Sequence, residues 1–160
     1  MEQRVFEKIV SGGQTGVDRA ALDVALELGL PCGGWCPKGR AAEDGPLAVR
    51  YPLTETPSEI HAQRTEWNVR DSDGTLVLTR GTPTEGTALT VAIAKRLRKP
   101  CLVLDLLDLH EQPAESAVWT WADQHHIRIL NVAGPRESKC PGIYAQAAAF
   151  LRKVFRGHNL

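Results

Sequence analysis

The stretch Lys8-Ile9-Val10-Ser11-Gly12-Gly13-Gln14-Thr15-Gly16-Val17-Asp18-Arg19 decides how the chain is read. A short strand, Val5 to Val10, runs into a glycine-rich turn, and a helix begins immediately after it. Gly12, Gly13 and Gly16 can take backbone angles closed to other residues and let a ligand come close to the main chain. The helix start beyond them presents free N–H groups and the positive end of a dipole, which together favour phosphate or another oxyanion. The same residues have a plainer reading, in which Thr15-x-x-Asp18 is a capping box and Gly12-Gly13 only a tight turn. The spacing is not the G-x-G-x-x-G dinucleotide fingerprint, and no acid stands at Pro31 to Trp35 to take a ribose. No G-K-S/T follows, so it is not a Walker A loop either.

Outward from this turn, strands and helices alternate. The first helix, Thr15 to Leu28, aligns Val17, Ala21, Val24, Ala25 and Leu28 on one stripe and is stopped by Gly29 and Pro31. Pro31 to Trp35 is a strand candidate, and Cys36 to Pro46 a long polar loop of the kind that is functional or disordered. A brief extended piece from Tyr51 precedes a helix from Ser58 to Arg70 and an apolar strand from Thr75 to Thr79. Arg80 to Thr87 forms a second glycine-containing strand-to-helix turn, followed by a helix aligning Leu89, Ala92, Ile93 and Leu97. Cys101 to Asp105 is the next strand, Pro113 to His126 a helix, and Ile127 to Val132 the last strand, running on through Asn131 to Ser138. Pro141 opens a final helix with Ile143, Ala147, Phe150, Leu151 and Val154 on one stripe. This order predicts an α/β fold with a mostly parallel open sheet covered on both faces. Right-handed crossovers place the loops after the strands on one edge, where a ligand binds at the reversal of strand order. Both glycine turns belong to that edge.

Composition sets the outer bounds. At 160 residues the chain predicts one domain, residues 1–160, with a core that needs no staples. Its 19 basic and 19 acidic residues cancel, which argues against general affinity for nucleic acid or membrane. Cys32, Cys36, Cys101 and Cys140 follow no C-x-x-C spacing, so neither a disulfide framework nor a zinc site is expected. No signal peptide and no membrane-spanning run is evident, and a cytoplasmic protein is expected. No metal-like His and carboxylate spacing and no Ser-His-Asp or Cys-His nucleophile arrangement is visible.

The predicted edge collects Arg19, Lys38, Arg40, Arg80 and Arg136, with Thr15, Thr82, Thr87 and Ser138 as hydroxyl donors. Cations on strand-end loops of a neutral chain suit a small polyanionic ligand, although charged residues are mostly solvated wherever they stand. Glu85 in Gly81-x-x-x-Glu85 is either a base beside a phosphate sugar or a carboxylate favoured by a helix dipole. Asp18 and Glu43 share that ambiguity. Trp67 shares a helix with Arg64 and Asn68 and offers a stacking face, but core burial is its plainer reading.

At Ile9 to Arg19 and at Gly33-Gly34-Trp35-Cys36-Pro37-Lys38-Gly39-Arg40-Ala41-Ala42-Glu43-Asp44-Gly45, the sequence resembles the molybdenum carrier protein family, whose members bind molybdenum cofactor. Arg64 to Val69, Asp73 to Leu78, Gly86 to Thr90 and Asn131 to Ser138 continue the resemblance over nearly the whole chain. The family is related to Rossmann-like nucleotide-binding proteins of the lysine-decarboxylase-like (LOG-related) superfamily, some of which cleave nucleoside monophosphates. The resemblance implies a Rossmann-like three-layer αβα fold, a homotetramer, and storage or protection of the cofactor (molybdopterin) as bound ligand. Carried over by position, Gly12, Gly13, Gln14, Thr15 and Gly16 would hold its phosphate or oxo end. Lys38, Arg40, Gly86, Thr87 and the 134–138 loop with Gly134, Arg136 and Ser138 would add contacts, and the second turn itself offers Gly81 and Thr82 as further ligand candidates. One departure stands out: Glu85 occupies the place expected for a second glycine before Gly86-Thr87, and its charge opposes an anion there.

Two classes of function follow. The first is a non-catalytic carrier of molybdenum cofactor or a similar phosphorylated heterocycle. The second is a nucleotide N-glycosidase using Glu85 with Arg80 or Arg136, with a nucleotide-sensing module as a further variant.

Overall fold

The protein is described by a computed structural model over residues 5–109 and 114–157. Its centre is a parallel sheet of five strands in the order β2-β1-β9-β7-β8. These are β1 (Lys8–Val10), β2 (Cys32–Gly33), β7 (Gly74–Thr79), β8 (Cys101–Asp105) and β9 (Ile129–Ala133). The register pairs Ile9 with both Cys32 and Leu130, and Leu76 with both Val132 and Leu102. Every residue of β7 is buried, as the apolar run at 75–79 predicts for a strand covered on both faces, whereas β8 lies at the edge and is only half-buried.

The alternation of side chains divides the sheet into two unlike faces. Ile9, Leu76, Leu78, Leu130 and Val132 meet α1 (Val17–Glu27), α4 (Ala114–Gln124) and α5 (Ile143–Arg156) in the main core. On the opposite side α2 (His61–Arg70) and α3 (Glu85–Arg96) share the smaller cluster of Val69, Ile93 and Ala94. Thr75 and Asn131, both buried, are bonded to each other at 3.2 Å, Asn131 Nδ2 donating to Thr75 Oγ1. The result is the three-layer Rossmann-like αβα arrangement.

Several boundaries depart from the sequence reading, each for a local reason. The expected strand at 31–35 splits at Gly34 (φ 127°): Cys32–Gly33 joins β1, and β3 (Trp35–Cys36) pairs instead with β6 (Thr54–Glu55). A Cβ on Gly34 would lie 2.5 Å from the Ser11 carbonyl oxygen, so only glycine can make that bend. The expected polar loop at 36–46 carries a small hairpin, β4 (Ala41–Ala42) with β5 (Gly45–Pro46). Arg40 organises the arm around it. Its guanidinium donates to the carbonyls of Leu53 (3.0 Å), Ala48 (2.9 Å), Tyr51 (2.9 Å) and, more weakly, Leu47 (3.4 Å). Beneath lie Leu22, Cys36, Leu47, Tyr51 and Leu53. Two-residue strands have no periodicity to read, and a side chain that replaces a ladder leaves no pattern at all.

The helix starts also shift. No capping box forms at Thr15 and Asp18: Gly16 (φ 78°) caps α1 without a side-chain bond. The last helix begins at Ile143 rather than Pro141, because Glu137 reaches over to accept from Gly142 N (2.8 Å) and Tyr144 N (3.0 Å). Pro113, the expected start of the fourth helix, lies outside the described residues. Among those residues no helix is long and apolar enough to cross a membrane.

Candidate functional site

Numbering the sheet from β7, so that β7, β8, β9, β1 and β2 become one to five, turns the observed order into 5-4-3-1-2. That is the 2-1-3-4-5 doubly wound order read from the other end, with its reversal between β9 and β7. A cleft of about 150 Å³ opens there. It is lined by Gly12, Gln14 and Asp18 from the first turn and α1, by His61, Arg64 and Asn68 from α2, by Thr84 to Thr87 and Thr90 at the start of α3, and by Asn131 to Arg136. Loops following β1, β7 and β9 therefore converge, as the crossover argument requires.

The first turn is closed on itself. Ser11 Oγ accepts from Gly13 N (3.2 Å), Asp18 Oδ2 from Gln14 N (3.3 Å), Gln14 Oε1 from Thr15 N (3.0 Å) and Pro135 O from Val17 N (3.3 Å). Its glycines serve packing against protein. A Cβ on Gly12 would sit 2.2 Å from Arg64 Nη1, and one on Gly16 2.2 Å from Pro135 O. Arg64 is the keystone of this side. Buried, it donates from Nη1 to Gly12 O at 2.7 Å and stands 3.6 Å from Asp18 Oδ2.

Asp18 carries the clearest electrostatic anomaly. Burial pushes its pKa up to about 6, against the opposing pull of Arg64, the Gln14 N–H and Arg19. The Arg64 charge does not cancel the burial because its nearest nitrogen is aimed at a carbonyl rather than at the carboxylate. A carboxyl that titrates near neutrality inside a cleft is a group that can hold or give up a proton there.

The second turn is open. Helix α3 begins at Glu85 with no side-chain cap, and Glu85 has φ 48°, a conformation that costs a residue with a Cβ about 1–3 kcal/mol. Nothing lies within 4 Å of where a Gly86 Cβ would be. The positive end of the α3 dipole thus faces the cleft directly. The Glu85 carboxylate is exposed at the cleft mouth, 3.8 Å from Lys139 Nζ, which also lines the cleft.

The remaining candidates distribute as follows. Gly12, Gln14, Glu85, Gly86, Thr87, Gly134 and Arg136 line the cleft, while Gly13 packs under Leu47 and Leu53 and Gly16 against Pro135. Thr15 and Ser138 meet at the tip of the β4–β5 hairpin, where both donate to the Glu43 carboxylate, and Arg19 grips Asp44 through two bonds of 2.9 and 3.0 Å beside them. Arg136 stands 3.9 Å from Glu43. Burial opposes ionisation of Glu43, but the bonds from Ser138 and Thr15 and the Arg136 charge prevail and hold its pKa below the usual value. Arg40 is committed to its carbonyls, and Arg80 to Gln146 Oε1 (2.7 Å) and Pro141 O (2.8 Å). Gly81 N donates to Asp105 Oδ1 (3.0 Å), and Lys38 and Thr82 are exposed away from the cleft lining.

Arg64, Asn68, Thr90 and Asn131 line the cleft without having been named as ligand residues. Arg64 and Asn68, four apart on α2, share its inner side with Val69. The Asn68 amide accepts from Trp35 N (2.7 Å) and donates to Trp35 O (2.9 Å), which fixes α2 against the arm. That pair of polar residues flanking one buried stripe was the available signal. Trp67 is not core: it meets Trp35 edge-on at 4.8 Å, and the Arg70 guanidinium lies 4.8 Å from its ring centre.

Comparison with known proteins places this geometry. The profile described as "Circularly permutated YpsA SLOG family" matches residues 9–155. The crystal structure of the "Putative molybdenum carrier protein" of Syntrophus aciditrophicus SB is 47% identical, covers 96% of this chain and 97% of its own, and superposes with a TM-score of 0.91. No curated protein matches the chain.

Proposed function

The chain belongs to the circularly permutated YpsA SLOG family, and on that premise we propose that it is a binding protein for a small phosphorylated heterocycle, with molybdenum cofactor as its cargo. The observation that carries this reading is the cleft at the reversal of strand order, entered by the uncapped start of α3 and bordered by Arg136 and Lys139. A binding role is supported by the 47% identical neighbour named as a carrier. At about 150 Å³ the cleft is smaller than the roughly 300–1,000 Å³ that encloses a drug-sized ligand. It therefore takes in one end of the cargo, the anionic group, and leaves the ring system along its rim. The α3 amides and Thr87 hold the anion, and Arg136 balances its charge. Copies of the chain associate into a homo-oligomer, for which the exposed Leu89 of α3 and Val103 on the edge strand β8 supply apolar surface.

The test is a thermal melt with molybdenum cofactor, molybdate and nucleoside monophosphates in turn, since a ligand that binds only the native state raises Tm. A concentration-dependent rise with the cofactor, reduced in Arg136→Ala, supports the carrier. A flat response to all three overturns it.

One observation favours a second reading, hydrolysis of a nucleotide glycosidic bond. Asp18, near neutral in pKa and lining the cleft, is better placed as an acid than the solvent-exposed Glu85, and Arg80 lies outside the cleft lining. Free base released from nucleoside monophosphates by the wild type and not by Asp18→Asn would establish it. Absence of release from the wild type removes it.

A further inference from the structure

Thr15, Arg136 and Ser138, all candidates for holding an anion, do come together, and they hold one: the carboxylate of Glu43. Thr15 Oγ1 and Ser138 N (3.1 Å) donate to its Oε1, Ser138 Oγ donates to its Oε2 (2.5 Å), and Arg136 Nη1 stands 3.9 Å from Oε2. Two hydroxyls, one main-chain N–H and one guanidinium from the loops after β1 and β9 thus surround a single carboxylate on the tip of a hairpin.

We propose that this donor set is an oxyanion site bordering the cleft, and that Glu43 is an internal stand-in which a tetrahedral dianion, molybdate or phosphate in class, displaces. The attachment of the tip fits exchange. It is polar throughout: the Glu43 carboxylate, a 2.8 Å bond from Glu43 N to Gln14 Oε1, and the Asp44 pair with Arg19. The base of the hairpin is anchored separately by Arg40, so the tip can leave while the arm stays. The hairpin tip is at the surface, with the Asp44 side chain 51% exposed and that of Glu43 20% exposed beneath its donors, so a released carboxylate moves into water rather than into the core. A dianion gains more from the same donors than a monoanion does. Arg136 lines the cleft as well, so an occupied oxyanion site adjoins the cargo position. The site itself does not depend on the carrier reading, which only supplies its biological use.

The experiment is titration calorimetry of wild type and Glu43→Ala with molybdate and, separately, inorganic phosphate. Glu43→Ala should bind the dianion at least about ten-fold more tightly than wild type, and Glu43→Ala/Ser138→Ala should lose that gain. Equal affinity in a folded Glu43→Ala protein, or a gain that survives loss of the Ser138 hydroxyl, overturns the proposal. Should Glu43→Ala not fold, Glu43→Gln and the wild type are followed by amide NMR. A saturable shift of the Ser138 N–H with molybdate supports the site, and a resonance that stays fixed overturns it. Cofactor that raises Tm while Glu43→Ala gains nothing refutes the displaceable carboxylate alone. A gain in dianion binding with no cofactor effect refutes the carrier alone.

Discussion

The two glycine turns, 11–16 and 80–87, look alike in sequence and have opposite lives in the structure. In the first, four amides are satisfied by neighbouring protein and the glycines let backbone and Arg64 pack without a Cβ between them. In the second, Gly86 faces open space and Glu85 is held in a strained conformation, although neither helix has a side-chain cap. The lesson is that glycine-rich strand-to-helix turns have two uses. One assembles the edge of the sheet, and the other leaves a helix end exposed for a ligand.

The contrast breaks first at Gly16. Gly16→Ala places a Cβ 2.2 Å from Pro135 O at φ 78°, and we expect a loss above about 4 kcal/mol in urea unfolding. A cost below about 1 kcal/mol would mean the first turn is as roomy as the second. Arg64→Ala comes next. It strips Gly12 O of its partner and leaves Asp18 buried without its counter-ion, which should cost about 3 kcal/mol at pH 7.5. The same variant should lose less at pH 5, where Asp18 is protonated.

Asp18 then predicts the sign of a pH dependence. Its folded pKa, about 6, lies above the ordinary 3.8, so stability is fully present below 3.8 and lost as pH rises through about 6. At about 1.4 kcal/mol per unit the swing is at most about 3 kcal/mol. Urea midpoints measured from pH 4 to 7 should fall more steeply in wild type than in Asp18→Asn, and parallel curves would show that Asp18 is not the source. Glu43, whose pKa is lowered, acts oppositely and loses its contribution only as pH falls through its depressed value.

On the open turn the effects are small and favourable. Glu85→Gly removes the positive-φ strain and should stabilise by about 1 kcal/mol. It also removes a carboxylate beside the anion position, so cofactor binding should tighten. Gly86→Ala meets no neighbour and should change stability by no more than about 0.5 kcal/mol. A large loss there would show that the second turn is packed after all.

Much of this architecture was legible in the residues. The stripe Ile143, Ala147, Phe150, Leu151 and Val154 and the apolar run at 75–79 declare helix and buried strand, because burial on one or both faces leaves a repeating pattern. The stripe expected at 89–97, by contrast, leaves Leu89 and Ala92 exposed, α3 burying Thr87, Thr90, Ile93 and Ala94 instead. The convergence of both turns followed from the parallel crossovers. What stayed hidden depended on contacts distant in sequence. Nothing near Arg64 says that its guanidinium will meet Gly12, 52 residues away. Arg40, for its part, resembles a ligand cation until its carbonyl partners are seen. Position after a strand did not decide which cations reach the cleft: Arg136 lines it, whereas Arg19 in α1, Arg40 and Arg80 do not.

The Arg40 clamp has a consequence for how the arm comes apart. Four carbonyls converge on one hub, so spokes can be lost singly with little change, whereas losing the hub frees residues 41–53 together. Apart from the hairpin tip, which has its own attachments, the arm should behave as a hinged panel, shut or released as one piece, with its amides exchanging in concert and proteases finding it only when the panel swings out.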